Sequence, residues 1–336
     1  MIAGVPNEAR WTRSEPRRTL PSPLLARIIR SAFPRGNVVE VSPFADGLRN
    51  ANFKVQLDRA PGLIVVRIYE HDISLCQKEI DLLRLIGRSV PVPEVIHAEP
   101  LGLEDTPAFT ILRYVEGITF RELTRRGEAA AIAQAAYSAG KILASIGCIS
   151  FAKAGWLAPG PRVAEPLLQG ANPVPRFVDS CLTAANLQQR MRPDLRDRTH
   201  RLMWAWASRL AHLNDEASLV HGDYGKRNLL VRSIAGEWSV AAVLDWEFAV
   251  VGSSLADVGH FLRYERATRP VVEPHFSTGY LHGGGKLPED WRQLARLLDL
   301  SALCESLTHD ELPDSVSTEL VELVSSGAEN RDPRLA

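Results

Sequence analysis

The sequence predicts an α+β chain of two lobes, a small antiparallel β-sheet lobe followed by a larger, mainly helical one. Three observations carry this expectation. Short β-rich runs bounded by turn residues crowd the first third of the chain: "NVVEVSPF", "NANFKVQLD" and "GLIVVRIYE". Beyond Gly117 the pattern turns helical and Ala-rich, as in "EAAAIAQAAYSAGKILASI". A small β-rich lobe followed by a larger helical one is the α+β pattern, with the join near Tyr114–Gly117.

Bulk properties narrow the function classes. The 336 residues suffice for one large or two medium domains, and 45% apolar with 24% charged content is ordinary for a globular chain. A net charge of −1 gives no long-range field toward nucleic acid or an anionic membrane, so neither is expected as a partner. Cys76, Cys148, Cys181 and Cys304 are far apart and form no C-x-x-C pair, which reads as reduced thiols in a cytoplasmic protein. The first twenty residues carry charge throughout and no apolar stretch of the signal-peptide kind, so residues 1–20 read as a flexible arm. No run approaches the roughly 18–20 apolar residues of a membrane span.

The elements follow in order. "PLLARIIRSAF" places Leu24, Leu25, Ile28 and Ile29 on one helical face, and Pro34 ends it. The three β-rich runs, separated by Asp46-Gly47 and Pro61-Gly62, predict an antiparallel meander. "SLCQKEIDLLRLIGRS" is an amphipathic helix with Leu75, Ile80, Leu83 and Ile86 toward the core. After "VPVPEVIHAEP" strands resume, closing on "AFTILRYVEG". The small lobe is therefore expected over 21–115 and the large lobe over 116–336. In the large lobe a Pro/Gly-rich stretch, "GWLAPGPRVAEPLLQGANPVP", separates two helical regions. A hairpin, "NLLVRSIAGEWSVAAVLD", follows, then further helices. Trp204 and Trp206 fall in a helical apolar context and are expected in inter-helix packing.

The chemistry concentrates in "LVHGDYGKRNLLV" at 219–231, where His221, Asp223, Lys226, Arg227 and Asn228 sit between strand-like runs. Phosphoryl transfer needs a carboxylate to orient or deprotonate the attacking hydroxyl, and oxygen ligands for a Mg²⁺ that neutralises phosphate charge. Asp223 and Asn228 have the H-x-D-x-x-x-x-N spacing of a kinase catalytic loop. Asp245 in "VAAVLDWEF" then ends the next strand but one, where a second metal ligand is wanted. A carboxylate closing an apolar strand is costly to bury without a partner, which favours a cation there.

"HGDYGKRN" followed by "LDWEFAVVGSSLADVG" resembles the aminoglycoside phosphotransferase and choline kinase-like family of small-molecule kinases. The resemblance runs from about Val38 to the C-terminal helices and implies a bilobal protein-kinase-like fold, with ATP and Mg²⁺ as cofactors. It implies that Asp223 is the catalytic base, that Asn228 and Asp245 bind Mg²⁺, and that Asp257 in "LADVG" braces the catalytic loop. "ADGLRNANFKV" is similar to the family's phosphate-covering turn, in which Gly47 and Asn50 hold recurring positions. Arg49 departs from the small hydroxyl residue common there. Arg67, a cation inside the apolar "IVVRIY", requires a partner that Glu79 on the next helix can supply. In kinases such a strand cation contacts the α- and β-phosphates. "ILRYVEG", with Tyr114, is the implied hinge, its backbone offering hydrogen bonds to adenine.

Other features stay bland. "HGGGK" lacks the first glycine of a P-loop, and Leu287 follows its lysine. "RMRPDLRDRTHR" is interrupted by two aspartates and a proline, and reads as a solvated helix start. From Leu297 to Asn330 there is no Lys or Arg, while Asp299, Glu305, Asp310, Glu311, Asp314, Glu319, Glu322 and Glu329 are present. That tract is open to two readings, a pocket for a cationic acceptor or an acidic solvated face. The expectation is an ATP-dependent kinase of a small hydroxyl compound (aminoglycoside-like, amino alcohol or sugar). A catalytically silent nucleotide binder would keep the fold but often lacks one of Asp223, Asn228 and Asp245. A metal-dependent phosphoesterase would need further clustered His/Asp ligands, whereas His71, His97 and His282 stand alone. The oligomeric state leaves no mark on the sequence.

Overall fold

The computed structural model describes residues 20–44, 50–69, 73–265 and 269–329. The expected arm, the Asp46-Gly47 turn with Arg49, and His71 lie outside the described residues.

The first lobe runs α1 (Ser22–Ala32), β1 (Val38–Pro43), β2 (Ala51–Leu57), β3 (Leu63–Ile68), α2 (Ser74–Ile86), β4 (Val95–Glu99) and β5 (Phe109–Arg113). Its five strands form one sheet in the order β1-β2-β3-β5-β4, with every neighbouring pair antiparallel. The meander holds for the first three strands only, because β5 inserts between β3 and β4. Burial explains the swap. Phe109, Thr110, Ile111 and Leu112 are all buried and call for neighbours on both edges, whereas β4 is half-buried throughout and suits the rim. Along β2 burial alternates residue by residue, so Phe53 and Val55 meet Leu25, Ile28 and Ile29 of α1 in one apolar cluster. Helix α2 buries Cys76 and Ile80 in a small cluster with Tyr69, and Leu82, Leu83 and Ile86 in the core of the second lobe. One helix thereby ties the two bodies together.

The second lobe begins with β6 (Ile118–Thr119), α3 (Phe120–Arg126) and α4 (Ala129–Gly147). A hairpin of β7 (Gly155–Ala158) and β8 (Arg162–Glu165) follows, then α5 (Pro173–Thr183), α6 (Ala185–Arg190), α7 (Pro193–Ala205) and α8 (Ala207–Ala211). Next come β9 (Ser218–Val220), β10 (Leu229–Ile234), β11 (Glu237–Val243) and β12 (Val250–Gly252). The chain closes with α9 (Leu255–Leu262), α10 (His275–His282), α11 (Trp291–Ser306) and α12 (Asp314–Ala328). The Pro/Gly-rich stretch, expected as an interruption, holds the β7–β8 hairpin, and β7 pairs onward to β12. Trp204 joins α7 to α5 by donating from Nε1 to Asp179 at 2.8 Å. Among the described residues no helix is long and apolar enough to cross a membrane.

Two small sheets set up the site. β6, the first strand after the 114–117 connection, pairs with β10, which pairs with β11. β9 pairs with β12, and the polar loop 221–228 connects β9 to β10. That loop and the segment after β11 therefore emerge side by side.

Candidate active site

Loop 221–228 is held by its own first residue and by α9. His221 is fully buried, and its Nδ1 accepts the amide of Asp223 at 3.1 Å. With Nδ1 an acceptor, Nε2 is the donor, and it reaches the carbonyl of Leu244 at 2.9 Å. One imidazole thus spaces Asp223 from the residue preceding Asp245. Asp257 of α9 accepts the amides of His221 at 2.7 Å and Gly222 at 2.9 Å, bracing the loop as the resemblance implied. Gly222 sits at φ +81°, and a Cβ there would meet the carbonyl oxygen of Phe248 at 2.4 Å. Only glycine lets the chain turn so close to the segment between β11 and β12.

Asn228 joins the two acidic positions. Its Nδ2 donates to the Asp223 carbonyl at 2.9 Å and to Asp223 Oδ2 at 2.8 Å, while its own carbonyl accepts the Leu244 amide at 2.8 Å. Asp245 follows in the left-handed region at φ +66°, a conformation aspartate tolerates better than most residues. The side chains of Asp223 and Asp245 stay about a third exposed, at 35% and 33%.

The small lobe reaches the same place through Arg67. Its guanidinium lies 3.2 Å from Glu79, 2.7 Å from Asp245 and 3.9 Å from Glu247. The Glu79 contact is an ion pair without hydrogen-bond alignment at Nε, and Glu79 also accepts the Tyr69 hydroxyl. Burial opposes the charge of Arg67, yet Glu79 and Asp245 more than offset it and hold its pKa well above the ordinary value. Burial, with Glu79 beside it, pushes the Tyr69 hydroxyl up. At Asp223 burial raises the carboxyl, but the contact with His260, with the Arg263 cation behind it, prevails and holds it below the usual range. At Asp257 burial wins, and that carboxyl is raised despite its two amide donors.

Asn50 is buried and donates to Glu247 at 3.0 Å, so its amide is spent on a contact between the lobes. Tyr114 lies apart, on the connection from β5 to β6, with the Lys54 ammonium 4.8 Å from its ring centre. Gly47 lies outside the described residues.

Several site residues went unread in the sequence. Lys78, next to Glu79, is buried and donates to the carbonyls of Glu247 and Ala249 in the second lobe. His260 lies 3.0 Å from Asp223. A signal for it existed, since positions three apart on a helix share a face, and His260 is three residues beyond Asp257. The acidic C-terminal tract follows neither of its two readings at its innermost members. Asp299 pairs with Arg263 at 2.6 Å, and Glu319 accepts the Tyr264 hydroxyl at 2.7 Å. Asp310 accepts from Asn186 at 2.5 Å.

The donor set suits a hard divalent cation. The amide nitrogen of Asn228 is committed to Asp223, which leaves its oxygen as the atom for a metal. Oxygen ligands from one or two side chains, completed by phosphates and water, are what Mg²⁺ takes.

Known proteins resemble the chain in sequence and in fold. The sequence model of the phosphotransferase enzyme family matches residues 40–297. No curated protein sequence matches. Among solved structures, a thermostable mutant of aminoglycoside phosphotransferase APH(4)-Ia in ternary complex with AMP-PNP and hygromycin B is similar. It is 18% identical, with 91% of this chain and 99% of that chain covered at a TM-score of 0.61. The GDP complex of wild-type aminoglycoside 2'-phosphotransferase-IIIa is 16% identical, with 90% and 97% covered at a TM-score of 0.66. At these identities the likeness establishes the bilobal, protein-kinase-like fold.

Proposed function

Since the chain belongs to the phosphotransferase enzyme family, we propose that it transfers the γ-phosphate of MgATP to a hydroxyl of a small molecule. The acceptor is a compound of the aminoglycoside, amino-alcohol or sugar kind. The observation that carries this reading is the coupling through Asn228, which bonds Asp223 by its side chain and the Asp245 segment by its carbonyl. That arrangement suits a loop in which one carboxylate faces the acceptor while an amide and a second carboxylate face phosphate.

Asp223 aligns the acceptor hydroxyl and takes up its proton. Its carboxylate stays ionised because the His260 contact and the Arg263 charge outweigh burial. Asn228 and Asp245 are the residues that would hold Mg²⁺. When bound, that ion neutralises charge on the β- and γ-phosphates. Arg67, fixed by Glu79, orients the other end of the triphosphate. Asn50 and Lys78 hold the Asp245–Ala249 segment against the small lobe. The backbone of the hinge at Tyr114 offers hydrogen bonds to adenine, and Gly47 covers phosphate. The gain in rate comes from positioning and charge neutralisation.

Incubation with MgATP and a panel of aminoglycosides, amino alcohols and sugars tests the reading. Phosphorus NMR should show a new phosphomonoester and ADP for at least one acceptor class. A protein that binds an ATP analogue but forms no ADP across the panel would fit the silent-binder alternative instead.

A further inference from the structure

A line of side chains runs from α11 to Asp223. Asp299 grips Arg263 through three hydrogen bonds: Nε reaches the two carboxylate oxygens at 3.1 Å each, and Nη2 reaches Oδ1 at 2.6 Å. The same Nη2 lies 3.3 Å from Nδ1 of His260. A guanidinium has donors only, so Nδ1 is the acceptor and the ring proton sits on Nε2. Nε2 in turn stands 3.0 Å from Oδ1 of Asp223.

We propose that His260 is a positioning residue for phosphoryl transfer: held in its Nε2–H form by Arg263 and Asp299, it donates to Asp223 and aims that carboxylate at the acceptor hydroxyl. This rests on the reading of Asp223 as the base. The other carboxylate oxygen, Oδ2, accepts from Asn228 at 2.8 Å. Asn228 thus bonds one oxygen while the His260 ring nitrogen faces the other, so a donor stands on either side of the carboxylate. A lone pair on each oxygen is left for the acceptor, on a carboxylate whose rotation its two neighbours restrict, as a near-attack geometry requires. Arg263 and Asp299 have side chains only 10% and 8% exposed, so the line is fixed in the body of the lobe. The loop makes room for the ring: a Cβ on Gly225 would meet Nε2 at 3.2 Å.

The test compares His260→Gln, His260→Asn and Asp223→Asn with the wild-type chain. Glutamine carries an amide nitrogen at the reach of Nε2, whereas the asparagine amide stops at the level of Nδ1. Turnover is read as phosphate release from MgATP with water as acceptor, and the imidazole state by long-range proton–nitrogen NMR. The wild-type ring should be in the Nε2–H form. His260→Asn should lower kcat about 10–100-fold with KM for MgATP and melting temperature unchanged, and His260→Gln should recover most of that loss. An Nδ1–H ring, or equal kcat in the two variants, would overturn the proposal. So would an Asn variant that loses turnover only together with its folding transition. Full turnover in Asp223→Asn would remove the reading of the loop itself, a result separate from either outcome at His260.

Discussion

The stretch from His221 to Glu247 and the tract from Leu297 to Glu329 are both rich in carboxylates, but their carboxylates end in different surroundings. In the first, Asp223 and Asp245 keep about a third of their side-chain surface open, at 35% and 33%, even though each is already held by neighbours. In the second, the Asp299 side chain is 8% exposed and Glu319 is fully buried. Their partners, Arg263 and Tyr264, both come from the turn that follows α9. The difference shows that a carboxylate's role is set by the bonding capacity left after packing. Asp223 and Asp245 have capacity to spare, and the inner members of the tract use theirs to hold helices together.

The largest effect should separate the two regions outright. Asp223→Asn keeps the size of the side chain and removes its charge, so turnover should fall by about 10²–10⁴-fold. Melting temperature and ATP-analogue affinity should barely move. A variant with normal turnover and lost stability would place Asp223 among the packing carboxylates.

Next in size is Arg67→Ala. It strips the cation from buried Glu79 and from Asp245, and should cost about 3–5 kcal/mol in denaturant unfolding. Glu79→Ala should cost less, and the double variant less than the sum, because the pair acts as a unit. Strict additivity would mean the two do not interact.

Tyr264→Phe probes the packed tract. Removing the donor to Glu319 should lower stability by about 1–3 kcal/mol while leaving turnover unchanged. A loss of turnover at full stability would extend the active site into that tract.

The smallest effect is chemical. Cys304 lies in α11 with its thiol pushed up by burial, while burial raises Cys76 to about 12 and Cys181 to about 11. At pH 8 these groups hold their protons, so iodoacetamide should label exposed Cys148 first, as peptide mass mapping would report. Rapid labelling of Cys304 would show the tract opening.

Legibility followed the same division. The loop stood out because polar side chains crowd between apolar strands, and His221 and Asn228 spend much of that capacity on holding it. Arg67 was readable because a cation in an apolar strand demands an acid, and Glu79 stood on the next helix. His260 and Lys78 were not, since each acts across a contact that exists only once the elements are packed. The fate of Asp299 and Glu319 was hidden for the same reason, because their partners lie 36 and 55 residues away. The β-sheet order was half legible: a meander needs only local turns, whereas the insertion of β5 depends on which strand buries both faces. The β7–β8 hairpin was masked by the Pro and Gly residues that turn it.

The most direct measurement of the central claim, that the open carboxylates carry metal-assisted chemistry, is calorimetric titration of a non-hydrolysable ATP analogue with Mg²⁺ and with chelator. Wild-type chain and Asp245→Asn would be titrated side by side. The account predicts that the wild-type chain binds more tightly with Mg²⁺, by about tenfold or more, and that Asp245→Asn loses most of that difference. Equal wild-type affinity in Mg²⁺ and in chelator would contradict it.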